Sequence, residues 1–249
     1  METVWITGAT GAIGSALARR LDARGVNVVL SARDSGKLEA LAAELSPGAL
    51  SVVADATDAS SSPNVLKIAE ERFGPVTGLA HCVGSILIKP LHLTTAEELD
   101  TTTTQNYLSA WHVLRAFVIA QLKHREHASA VLVGTVATRS GFANHEAIAG
   151  AKAAVAALAA TAAATYAERN IRINCVHPSL TASAMSAKFT RSTEAAERMA
   201  KLNPMGRLGT GDDTAALIEF LLSKDAGWIT GQQIGVDGGH GALQHTVKA

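Results

Sequence analysis

A chain of 249 residues, 47% of them hydrophobic, can bury one substantial core, and α/β folds of this length routinely form a single domain. Its 22 basic and 22 acidic residues cancel to a formal net charge of zero with no block of like charge, which argues against a nucleic-acid footprint or a polybasic membrane patch. Two cysteines far apart in apolar stretches, Cys82 and Cys175, suit reduced thiols rather than a disulfide framework, and a first strand starting close to Met1 leaves no room for a signal peptide, so a cytoplasmic protein is expected.

In chain order the pattern alternates. VWIT at 4–7 reads as a strand, 12–24 as a helix, VNVVLS at 26–31 as a strand and 35–45 as a helix. LSVVA at 50–54, VTGLAHCV at 76–83, AVLVGT at 130–135, IRINCV at 171–176 and QQIGV at 232–236 are further strands. Helical patterns at 62–73, 96–124, 146–168 and 211–223 fall between them. Most strands are continuous apolar runs, as in strands covered on both faces. The expectation is one Rossmann-type α/β domain over 1–249, a doubly wound parallel sheet of about seven strands with helices on both faces. The Ala-rich stretch 147–165 is too weakly hydrophobic, and broken by Lys152, to make a convincing membrane span. The segment 178–210, with Pro178 and Pro204, breaks the rhythm as an irregular insertion of the kind that often covers a substrate.

Ligands of such sheets bind at the carboxyl ends of the strands. After the first strand comes TGATGAIG, where Thr7, Gly8, Gly11, Ile13 and Gly14 would let a pyrophosphate approach the backbone and sit on a helix N-terminus. The second strand ends in Ala32 and Arg33. No acid stands there for a ribose 2′-hydroxyl, while Arg33 can pair with a 2′-phosphate or simply be a solvated surface arginine. NADP(H) is favoured over NAD(H), and no metal is expected.

These motifs make the chain resemble the short-chain dehydrogenase/reductase family from Thr3 to about Ala242. TGATGAIG is similar to the family's glycine turn, with Ala12 where a second motif glycine is usual, and HCVG at 81–84 stands where NNAG is usual, retaining Gly84. The resemblance implies an adenine contact at Asp55 and Ala56, a proton-relay water on Asn106, and nicotinamide contacts at Pro178, Thr181 and Ser183, with Ser179 replacing the glycine that usually follows the proline. PMGRLG at 204–209 and WITGQQIGVDGG at 228–239 are close to the family's usual ending.

The same resemblance implies a serine, a tyrosine and a lysine beside the nicotinamide. Lys152 fills the last role and would hold the cofactor ribose. Counting back four reaches Ile148, and thirteen further reaches Thr135. Thr135 keeps a hydroxyl that can meet a substrate, or is a β-branched strand residue and no more. Ile148 cannot serve as acid or base. The two tyrosines, Tyr107 and Tyr166, fall in other helical positions, and Tyr166 lies roughly 20 Å along a helix from Lys152. His145 can titrate near neutrality and replace the acid, or is an ordinary helix-start histidine; His81 is a second candidate. Met185, Phe189, Met199 and Met205 suit an apolar small-molecule substrate, or packing alone.

Three functions follow from this reading. The first is NAD(P)(H)-dependent oxidoreduction of a carbonyl, alcohol or imine with a non-standard active site. The second is a non-reductive isomerase or dehydratase on the same scaffold. The third is a weakly active or non-catalytic cofactor-binding homologue that supports a partner enzyme. The resemblance also implies a homodimer or homotetramer.

Overall fold

The computed structural model describes residues 2–124 and 126–243. Seven strands form one sheet: β1 Thr3–Thr7, β2 Asn27–Ala32, β3 Leu50–Val53, β4 Gly78–His81, β5 Ala128–Val133, β6 Ile171–Pro178 and β7 Gln233–Val236. Their order across the sheet is β3-β2-β1-β4-β5-β6-β7, and every pairing is parallel. β1 and β5 are buried along their whole length, which is why they read as unbroken apolar runs. The alternation survives at the level of single residues. Val4 and Ile6 enter one apolar layer with Leu17 and Leu21 of α1 (Ala12–Ala23) and Ile218 and Leu221 of α8 (Gly211–Leu222). Trp5 enters the other, with Val65 of α3 (Ser61–Phe73), Phe117 of α5 (Ser109–His124) and Val155 of α6 (Glu146–Tyr166). Each layer is the interface between the sheet and one set of helices.

Three expectations are corrected. The single helix anticipated over 96–124 is two, α4 (Ala96–Thr103) and α5, joined by a π-helical turn at Thr104–Leu108 that contains Asn106. One extra residue per turn leaves the apolar period almost intact, so periodicity does not reveal it. The irregular 178–210 segment holds a helix, α7 (Thr193–Ala200), none of whose residues is fully buried. The strand anticipated over 76–83 is shorter, at Gly78–His81, because its last residues leave the sheet to line the site. The remaining helix, α2, spans Ser35–Ala43 and packs Leu38 and Leu41 into the core.

By length and composition the apolar segment Glu146–Arg169 is the one described helix that meets the requirements for crossing a bilayer. In the fold it is a core helix, with Val155, Ala156, Ala159 and Ala163 buried against the sheet.

Helices α1 and α8 are tied by charge as well as packing. The Glu219 carboxylate, 5% exposed, accepts from Arg20 Nε at 2.6 Å and pairs with Arg24, while Arg20 also reaches Asp212 at 2.9 Å. Removing a buried partner's charge leaves cations facing a poorer acceptor. Glu219→Gln is expected to lower stability by about 1–3 kcal/mol, read as a drop in urea midpoint at unchanged slope.

Candidate active site

The carboxyl ends of β1, β4, β5 and β6 surround a cleft of about 630 Å³ at the point where the strand order reverses. Its floor is the β1–α1 turn. Gly8 has φ +64°, and a Cβ there would lie 2.9 Å from the Cys82 carbonyl carbon, so only glycine lets this turn pass so close to β4. Helix α1 begins after Gly11 with no side-chain cap, leaving its first amide groups turned toward the cleft for an anion. Gly11, Ile13 and Gly14 line the cleft; Thr7 and Gly8 lie just behind them. The turn therefore fits a dinucleotide.

Lys152 is 6% exposed on α6. Its Nζ donates to Val133 O at 2.8 Å and to Val83 O at 3.4 Å, so the ammonium is anchored at the ends of β5 and β4. Burial pulls its pKa down to about 8, a shift partly opposed by the neighbouring Cys175 and Cys82. A Cβ at Gly84 would lie 3.0 Å from Lys152 Nζ and 2.9 Å from Asn106 Oδ1, so this glycine is the gap through which lysine and asparagine approach each other. Asn106 is fully buried. It accepts from Ser85 N (3.1 Å) and donates to Ser85 Oγ (2.9 Å) and to Thr102 O (2.8 Å), fixing the loop that leaves β4. It stands behind the cleft wall rather than in it.

Thr135 lies at the exit of β5. Its Oγ1 accepts from Ala137 N at 3.4 Å, and its carbonyl is held by His177 Nδ1 (2.9 Å) and Thr138 Oγ1 (2.8 Å). Ile148, 5% exposed, lines the cleft one turn before Lys152. Tyr107 packs against Trp111 and Tyr166 ends α6; neither lines the cleft.

The two histidine candidates separate. His81 is fully buried between Thr7 Oγ1 (2.8 Å from Nδ1) and Ser109 Oγ (3.3 Å from Nε2). Ser109 donates its own proton to Gln105 O, so it accepts from Nε2–H, and Nδ1 accepts from Thr7. Burial and the nearby Lys152 ammonium push its pKa down to about 3, so it is a neutral strut between β1 and the start of α5, not a proton source. His145 lines the cleft at the start of α6, with Nδ1 2.8 Å from Ala143 O and its ring 5.6 Å from Phe142.

Pro178, Thr181 and Ser183 line the opposite wall. The backbone around them is pinned by buried Ser186, whose Oγ donates to Thr181 O (2.7 Å) and accepts from Ser183 N (2.9 Å). Ile86, Phe142, Met185, Phe189 and Met199 make the substrate side apolar, and among the described residues no carboxylate lines the cleft. Met205, by contrast, is exposed and outside the lining. Beyond the cleft, at the ends of β2 and β3, Arg33 is exposed and Asp55 holds Thr57 N and Oγ1 through Oδ1 (2.9 and 2.8 Å); Ala56 follows it. Among the described residues Arg33 makes no ion pair.

Sequence reading missed His240. It lines the cleft with its ring edge-on to Phe142 at 4.8 Å and Nδ1 2.9 Å from Ser179 Oγ. A histidine after two glycines near the chain end carries no periodic or motif signal. The turns at Gly238 and Gly239, both at positive φ, bring it back over the sheet.

Comparison with known proteins matches residues 8–241 to the family described as enoyl-(acyl carrier protein) reductase. The chain is 33% identical over 250 residues to 2-(S)-hydroxypropyl-CoM dehydrogenase 3 of Xanthobacter autotrophicus, covering 97% of each protein. It is 34% identical over 232 residues to inactive 2-(S)-hydroxypropyl-CoM dehydrogenase 2 of the same organism, covering 91% of this chain and all of that one. A solved structure of a short-chain type dehydrogenase/reductase from Mycobacterium ulcerans superposes with a TM-score of 0.89 at 28% identity, covering 96% of this chain and 90% of that one.

Proposed function

The chain belongs to the short-chain dehydrogenase/reductase family, and from that premise we propose that it is an NADP(H)-dependent oxidoreductase acting on an apolar alcohol, carbonyl or imine. The observation that carries this reading is the buried Lys152 ammonium, held beside Gly84 and Asn106 at the mouth of a glycine turn that accepts a dinucleotide. A bound nicotinamide would supply the hydride. The chain's own part is positional and electrostatic. Gly11, Ile13 and Gly14 would hold the pyrophosphate, Lys152 the ribose, and Thr181 and Ser183 the carboxamide. Asp55 and Ala56 would meet the adenine. Thr135 would direct its hydroxyl at the substrate oxygen, while Ile86, Phe142 and Met185 exclude water from it.

Fluorescence titration with NADPH and NADH, followed by turnover against a ketone, aldehyde and imine panel, tests the proposal. Binding with turnover supports it; absence of binding sinks it. A second reading, a cofactor-binding homologue that supports a partner enzyme, is favoured by Ile148 and by a relative whose name marks it inactive. It would show as binding without turnover on any member of the panel. A non-reductive isomerase or dehydratase has no such specific support.

The preference for NADP(H) rests on Arg33, exposed, without an ion pair and next to Ala32 at the end of β2. Arg33→Ala is expected to weaken NADPH binding about 10–100-fold, the worth of charge-assisted bonds to a phosphate, and to leave NADH nearly unchanged. Equal losses for both cofactors would mean that the arginine does not read the 2′-phosphate. Assembly as a homodimer or homotetramer in the cytoplasm is part of the same proposal. Exposed Leu99, Leu108, Trp111, Ile119 and Leu122 along α4, the π-turn and α5 supply an apolar face for it.

A further inference from the structure

A departure from the family pattern meets a histidine inside the cleft. Ser179 stands where a glycine is usual, and it touches His240. Ser179 Oγ lies 3.1 Å from Asn203 Oδ1, which can only accept, and Asn203 is 3% exposed with its Nδ2 turned to Met199 O. The serine proton is therefore committed to Asn203. The remaining contact, 2.9 Å to His240, requires Nδ1–H to donate to Ser179 Oγ. This fixes the neutral tautomer and leaves the Nε2 lone pair free. Phe142 packs edge-on at 4.8 Å and holds the ring. His145, which also packs on Phe142, has no comparable support: among the described residues its ring bonds only to Ala143 O, two residues away on its own loop.

We propose that His240 Nε2 exchanges a proton with the substrate's oxygen, doing the work of the phenol that Ile148 lacks, with Ser179 and Asn203 as its positioning residues. The proposal rests on the oxidoreductase reading. In oxidation, His240 takes the alcohol proton: the O–H bond breaks and an Nε2–H bond forms, while a bound oxidised nicotinamide would accept the carbinol hydride and with it the two electrons the substrate loses. The imidazolium then returns its proton to water. In reduction, the imidazolium gives its Nε2 proton to the oxygen as hydride arrives at carbon. The charged group that acts on this ring is Asp237, whose carboxylate accepts from Gly239 N and Gly241 N; His145 also packs on Phe142, and Lys152 lines the same cleft. Burial lowers the pKa of His240, with Asp237 partly opposing, which favours the neutral ring that can take the alcohol proton.

The test uses 1-phenylethanol as an apolar secondary alcohol, NADP⁺ and the whole protein. In NMR, the alcohol is expected to shift the His240 Cε1–H resonance and not that of His145. Turnover of 1-phenylethanol, or of the fastest compound in the panel, should rise with pH along one limb set by the His240 pKa measured in the same spectra. His240→Ala should lose about 100-fold in kcat/KM together with that limb, bind NADPH normally, and regain part of its rate from added imidazole. Ser179→Ala should lose less and shift the limb, because the tautomer is no longer fixed. Wild-type rate and profile in His240→Ala, or loss of the limb in His145→Ala instead, would overturn the proposal, as would an unmoved His240 resonance. A protein that binds no NADP(H) fails the oxidoreductase reading, whereas the resonance decides the His240 contact by itself.

Discussion

Ile148→Tyr is expected to raise turnover of a carbonyl substrate by about 10²-fold, the lower end of what a positioned general acid contributes. The argument is geometric. Ile148 sits on α6 one turn before Lys152; it is largely buried but borders the cleft, so a larger ring has open space on that side to extend into. Its hydroxyl would enter the space between Thr135 and the buried Lys152 ammonium. A cation beside a phenol lowers its pKa, so the variant should also gain activity at a pH where an unperturbed tyrosine would be idle. The gain should survive His240→Ala, since the two proton routes are independent. Steady-state rates for wild type, both single variants and the double variant decide the matter. A variant that folds, binds cofactor and is no faster would show that the rate does not hinge on a missing acid.

The fold was legible because its strands are buried on both faces and its core helices repeat apolar residues against them; β1, β5 and α6 could hardly read otherwise. What was not legible has equally physical causes. Helix α7 is only eight residues long and none of them is buried, so its sequence TEAAERMA is too short a stretch between prolines and polar residues to stand out as a helix, although Met199 lines the site. The π-turn around Asn106 changes the winding by one residue and leaves composition untouched. Lys152 and Gly84 stood out from their neighbours, a lone cation in an alanine helix and a glycine after a strand. His240 did not, because its place in the cleft depends on backbone turns at Gly238 and Gly239 and on a serine some sixty positions away. His81 misled for the opposite reason: a histidine at a strand end looks available until both ring nitrogens prove to be spoken for.

Lys152→Met should separate stability from function in opposite directions. Lys152 is buried, and its folded-state pKa of about 8 lies below the 10.5 of an unperturbed lysine. Below pH 8 both folded and unfolded chains carry the charge, and the fold bears the full cost of burying it. Between about pH 8 and 10.5 the unfolded chain holds the proton more tightly than the folded one, so wild-type stability should rise with pH across that window. Methionine has no charge to bury and a similar length. The variant should therefore be at least as stable as wild type at pH 7, and should lack the rise. Its carbonyl neighbours Val133 and Val83 lose a donor, which limits the gain. In the same variant, NADPH binding should weaken and any turnover should fall about 100-fold or more, because the ribose contact and the local positive charge go together. Urea unfolding at pH 7 and pH 9.5, with cofactor titration on the same samples, reads both. A fold that tolerates or prefers methionine while losing its cofactor would mark Lys152 as kept for chemistry; a variant that unfolds would make the ammonium a clamp between β4 and β5 and remove the main support for an active site.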